Sequence, residues 1–250
     1  MAKTSAIKLR PLPDHLKVPW GLKDALVVFL CAWIALPIVL VIVLRILTPF
    51  VPLANQFAKA LLTGDITATF ALTLLDALAG LALVAFYLRK YKAGWQMVGW
   101  RAFDVWRAAG YLLTIFLAFI LFAYLALQLV SLLDPSFNAN QPQSNELLDG
   151  ARTNRHLALI GLVIIPPIIE ETIFRGFIFP AISRRWGFWA GAVCSSILFG
   201  LAHMQANVGV YTFILGVLLC FMYAKLRSIF PGMLLHMLNN YLAFLALTGK

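Results

Sequence analysis

Seven stretches of this 250-residue chain are long and apolar enough to leave water for a bilayer, and they dictate what the chain can become. They run over about 25–47, 66–88, 109–133, 157–179, 187–204, 208–226 and 230–247. A helix needs about 20 apolar residues to cross the hydrocarbon core. The chain is 62% hydrophobic and only 12% charged, whereas a soluble domain is about 25% charged. The pattern predicts an all-α fold: a polytopic transmembrane helical bundle of about seven spans, with six and eight as the limits. The fifth stretch is the weakest, being short and carrying Ser195, Ser196, Gly200 and His203.

The net charge of +10 would suit a nucleic-acid partner, but its distribution argues against one. Basic residues gather before the first span (Lys3, Lys8, Arg10, Lys17, Lys23), between the second and third (Arg89, Lys90, Lys92, Arg101, Arg107), and at Arg184, Arg185, Lys225 and Arg227. The intervening connections hold few. This alternation follows the positive-inside rule with an odd number of spans. It predicts an integral membrane protein of a bacterial plasma membrane, with a cytoplasmic amino terminus, an extracytoplasmic carboxyl terminus and an attraction to anionic lipid. The first apolar run, about 23 residues, exceeds the 7–15 of a signal peptide and reads as a retained span. Cys31, Cys194 and Cys220 all lie in candidate spans without metal spacing, as small apolar fillers. Gly94 to Arg107 sets Trp95, Met97, Val98, Trp100, Phe103 and Trp106 among basic residues. It fits an interfacial amphipathic helix and, equally, an aromatic-belt loop.

The chain divides into N-terminal spans with basic cytoplasmic segments (1–133), a polar extracytoplasmic loop expected to be mobile (134–156), and a membrane core (157–250) that holds the informative polar residues. The first part contributes one intramembrane acid, Asp76, which either pairs locally or lines a cavity. In the core, Glu170 and Glu171 sit inside LALIGLVIIPPIIEETIFRGFIF. A charge at the bilayer centre costs about 2.5–3.5 kcal/mol on insertion scales, so such residues are rare. Pro166 and Pro167 leave helical carbonyls without donors, which suits a wet cavity. Glu171 and Arg175, four apart, share a face and can pair; Glu170, rotated by about 100°, addresses another neighbour. Gly176 lets a second backbone approach. With a turn near Trp186–Gly187, Glu170 and His203 fall at the same depth of a hairpin. His236 and Asn240, four apart, share a face of the last span, which opens at Pro231–Gly232. Carboxylate, imidazole and amide together can activate a water and hold an oxyanion. The same groups read singly as packing histidines, an interhelical amide and a structural ion network.

EETIFR (Glu170–Arg175), FGLAH (Phe199–His203) and HMLNN (His236–Asn240) fit E-E-x-x-x-R, F-x-x-x-H and H-x-x-x-N. In this order the region from about 155 to 245 resembles the CPBP family: the CAAX proteases and bacteriocin-processing enzymes, also called Abi, in their bacterial form. The resemblance implies an intramembrane endopeptidase acting on a membrane-associated or lipidated peptide or protein, prenylated substrates included. Glu170 and His203 would activate water, His236 and Asn240 would hold the oxyanion, and Glu171 and Arg175 would orient the site. The family is commonly labelled metalloprotease; Glu170, His203 and His236 could supply three ligands to a zinc ion, and a metal-free arrangement, with no cofactor required, is the expectation. The implied partners are membrane lipids and the substrate. There is no H-E-x-x-H and no G-x-S-x-G, and the nearest approach to G-x-G-D is TGD at 63–65. Competing readings are an idle immunity or scaffold protein of the same family, a proton relay or transporter, and bis-histidine haem binding by His203 and His236.

Overall fold

The computed structural model describes residues 12–139, 141 and 146–249. Among them there is no strand. In chain order the principal helices are α1 (Leu22–Leu47), α2 (Pro52–Leu62), α3 (Ile66–Lys90), α4 (Val105–Leu133), α5 (Arg155–Trp186), α6 (Phe188–Leu201), α7 (Ala206–Leu226) and α8 (Phe230–Thr248). All but α2 and α6 are long and apolar enough to cross a membrane. The protein is an integral membrane protein with the expected helical-bundle architecture. The expected fifth span is α6, whose 14 residues rise only about 21 Å at 1.5 Å per residue. Lys3, Lys8 and Arg10, used in the topology argument, lie outside the described residues.

Helix starts follow from side chains that satisfy orphan backbone N–H groups. Asp65 accepts from Ala68 N at 2.9 Å, Asp104 from Arg107 N at 2.9 Å, and Asn154 from Leu157 N at 3.2 Å. Asp24, at the start of α1, accepts from Gly21 N (3.0 Å), Lys90 Nζ (3.0 Å) and Tyr91 Oη (2.6 Å), joining α1 to the end of α3. Ahead of α1, Trp20 is fully buried, stacks on Phe177 and donates Nε1 to the Phe177 carbonyl at 2.9 Å. Nearby, burial pushes the His15 imidazole down to about 4, aided by Arg101 and Arg227. It therefore stands neutral with its ring edge-on to Tyr223.

The bundle is organised around α5, which touches α1, α3, α6 and α8. The α5–α6 hairpin turns where the sequence places it, at Gly187, whose φ of 86° lies in the left-handed region that glycine adopts without strain. Gly176 on α5 lies against the Val98 carbonyl, so a Cβ there would collide with backbone.

Three features depart from the sequence reading. The possible interfacial helix over Gly94–Arg107 is absent: Trp95–Val98 forms one 3-10 turn, Gly99 turns left-handed (φ 88°), and α4 begins at Val105. Val98 is fully buried and Ile229 N donates to the Gly99 carbonyl at 3.1 Å, so this segment wedges against α5 and the α7–α8 turn. The loop expected to be mobile is helical over Glu146–Asp149, with Leu147 and Ala151 buried in a cluster with Ile66, Ala158, Val163 and Phe244. Helix α2, between the first two spans, carried no signal that the span count could register.

Candidate active site

Helix α5 is widened twice, by π turns at Ile160–Ile164 and Glu171–Ile178. Such bulges recur at functional sites. Here the cause of the first is local. The Leu162 carbonyl would take its helical bond from residue 166 in α geometry or residue 167 in π geometry, and both are prolines with no N–H. Asn240 on α8 supplies the missing donor, Nδ2 to Leu162 O at 3.0 Å. An amide nitrogen carries two hydrogens, so one remains.

The two adjacent glutamates occupy different surroundings. Glu171 and Arg175 are each 1% exposed and joined by a 2.8 Å charge-assisted bond from Arg175 Nη1 to Glu171 Oε1. The Arg175 guanidinium also lies 4.2 Å from the centre of the Phe199 ring. Glu170, 18% exposed, opens onto a cavity of about 160 Å³ that it lines with His203, His236, Asn240 and Tyr211. The structure thus brings five of the six sequence-predicted residues to one place: four on the cavity wall, Glu171 directly behind it. Arg175 stands one bond further back.

His236 links the two glutamates. Its Nδ1 is 3.1 Å from Glu171 Oε1, and its Nε2 is 3.7 Å from Glu170 Oε2. A carboxylate only accepts, so the Nδ1 proton belongs to the bond with Glu171, and Nε2 is the nitrogen that faces Glu170. The sequence grouped His236 only with Asn240; the bridge arises from helix packing, which spacing along α8 does not encode. His203 follows the end of α6, in the turn to α7. Its Nδ1 is 2.8 Å from the Phe199 carbonyl. A carbonyl cannot donate, so Nδ1 carries the proton and neutral His203 keeps a bare Nε2, the form a general base requires. Phe199 packs edge-on to both imidazoles, with ring centres 4.9 Å from His203 and 5.7 Å from His236. Tyr211 was missed in sequence. Nothing but its phenol distinguishes it from the other aromatics of an apolar span.

Among the described residues no three His, Cys, Asp or Glu side chains are grouped so as to hold an ion. Glu170, His203 and His236 border one cavity, with His236 Nδ1 on Glu171 and Nε2 3.7 Å from Glu170. Cys31, Cys194 and Cys220 are unpaired.

Residues 152–242, which contain all six predicted residues, match the family model described as type II CAAX prenyl endopeptidase Rce1-like. Over these residues, less than half of the chain, the protein is similar to that family. The match agrees with the stretch whose three motifs carry the resemblance. The chain is also similar to "Putative membrane peptidase YdiL" of Bacillus subtilis (strain 168), 31% identical over 84 residues, or 34% of each chain. An "Uncharacterized 24.3 kDa protein" of Escherichia coli is 41% identical over 51 residues, 20% of this chain and 24% of that one. The chain thus spans about a third and a quarter of these relatives' lengths. No solved structure matches it.

Proposed function

We propose that the protein is an intramembrane endopeptidase that hydrolyses a peptide bond in a membrane-associated or lipidated substrate. The observation that carries this reading is the split between the glutamates: one carboxylate is exposed to a cavity with two imidazoles and an amide, the other is locked behind it by arginine. Glu170, together with the bare Nε2 of His203, takes a proton from a water as its oxygen attacks the scissile carbonyl. The remaining N–H of Asn240 donates to the oxyanion that forms, and His236 donates to it from Nε2 in its doubly protonated form, with Nδ1–H kept on Glu171. Glu171, held by Arg175, fixes the direction of His236. The proton then passes to the leaving amine, completing hydrolysis. No step is assigned to a metal.

Cleavage of a library of lipid-tethered fluorogenic peptides in proteoliposomes tests this. The parent should cleave a subset and keep doing so in chelator, while Glu170→Ala should cleave none. A Glu170→Ala protein that retains its cellular role would favour the idle immunity or scaffold alternative, and stoichiometric zinc lost together with activity would overturn the metal-free scheme. The proposed setting is a bacterial plasma membrane, amino terminus inside and carboxyl terminus outside, as the basic residues favour. Reporter fusions at Ser5 and Gly249 should read opposite sides; the same side would refute the odd number of crossings.

A further inference from the structure

Glu170 borders two cavities. The second, about 170 Å³, lies where α5 meets α3 and a π turn of α1 at Cys31–Ala35, walled by Asp76, Thr73, Trp33, Pro166 and Glu170. Pro166 and Glu170 are the residues it shares with the cavity of His203 and His236. Asp76 is the acid that the scheme above leaves idle. Its Oδ1 is shielded and has no hydrogen-bond partner among the described residues. The neighbouring Thr73 hydroxyl is committed to the Thr69 carbonyl at 3.0 Å. A half-buried acid at membrane depth whose shielded oxygen has no protein partner is costly, and a polar cavity offers a remedy. A water takes about 30 Å³ in the liquid, so this space holds several, with Asp76 to anchor them.

Hydrolysis consumes one water for every bond cleaved, and inside a bilayer that water has to be delivered. A substrate lying against His203, His236 and Asn240 fills the first cavity and closes it as a route. The second cavity reaches the same carboxylate from a side the substrate does not occupy. We propose that the Asp76 cavity is the water supply of the Glu170 site, and that Asp76 is a positioning residue which holds the waters passing beside Pro166 to Glu170. This rests on the endopeptidase reading.

The test compares Asp76→Leu, Asp76→Asn and Glu170→Gln by cleavage of a lipid-tethered fluorogenic peptide, and reads hydration separately by thiol labelling. Asp76→Leu should lower kcat about tenfold or more with KM nearly unchanged. Its Tm should equal or exceed the parent's, because an unpaired acid is replaced by an apolar group. Asp76→Asn, which still bonds water, should restore most of kcat. A charged methanethiosulfonate reagent, which needs an aqueous thiolate, should label Asp76→Cys faster than the parent's own three cysteines. It should spare Leu78→Cys, whose position faces outward, 55% exposed. Full kcat in Asp76→Leu, a parallel fall of kcat and Tm without rescue by asparagine, or an unlabelled Asp76→Cys would each overturn the proposal. Turnover by Glu170→Gln would take the endopeptidase reading down with it, whereas an inactive Glu170→Gln beside a fully active Asp76→Leu would remove the water supply alone.

Discussion

Helices α1 and α5 are both apolar spans, yet they are built for opposite surroundings. Over its most apolar 18-residue window α1 buries 11% of its positions inside the protein, and α5 buries 44%. The more oily helix is the outer one. Lipid tails are as apolar as leucine, so apolarity alone does not draw a helix inward. What places α5 at the centre is its polar and small residues. Glu171, Thr172, Arg175 and Gly176 are buried, each against a partner that only another protein segment can offer: His236, Trp100, Phe199 and the Val98 carbonyl. In α1, Ile38, Val41, Ile42 and Ile46 point outward and need nothing but hydrocarbon.

Substitutions separate the two kinds of helix. Phe199→Ala empties a fully buried site packed against Arg175, His203 and His236, and should cost about 3–5 kcal/mol by unfolding in detergent, with activity lost as well. A loss no larger than that of an outward residue would mean that the α5 side is not the packed one. Asn240→Ala strands the Leu162 carbonyl next to two prolines and should cost about 1–3 kcal/mol, together with lower kcat. Asn240→Asp should not rescue it, since a carboxylate cannot donate to a carbonyl. Ile46→Ala on α1, 60% exposed, should change stability by less than about 0.5 kcal/mol and leave turnover as it was. A large effect there would indicate that α1 is covered by protein in the membrane.

Much of this was legible in the sequence, because membrane helices declare themselves by length and because intramembrane charges are rare enough to be conspicuous. The hairpin turn at Gly187, the Glu171–Arg175 pair and the close approach at Gly176 all followed from local spacing. The parts that did not follow depend on contacts between distant segments. His236 bridges the glutamates because α8 packs on α5. The wedge at Trp95–Gly99 has the composition of a surface helix, but Gly99 and the Ile229 bond turn it inward. Leu147 and Ala151 looked like loop residues because their cover comes from Ile66 and Phe244. The Asn240–Leu162 bond was half visible: Pro166 and Pro167 predict stranded carbonyls, and only the fold says which side chain answers them.

The division of labour between the glutamates is reached by one paired measurement: thermal unfolding and single-turnover cleavage of Glu170→Gln beside Glu171→Gln. Glu170→Gln keeps shape and hydrogen bonding but cannot accept a proton, so it should melt with the parent and lose about 10²- to 10⁴-fold in rate. Glu171→Gln leaves Arg175 buried without its counter-charge and His236 without its anchor, so it should lose about 3–5 kcal/mol of stability along with activity. The opposite pattern, an early-melting Glu170→Gln and a stable but inactive Glu171→Gln, would contradict the account.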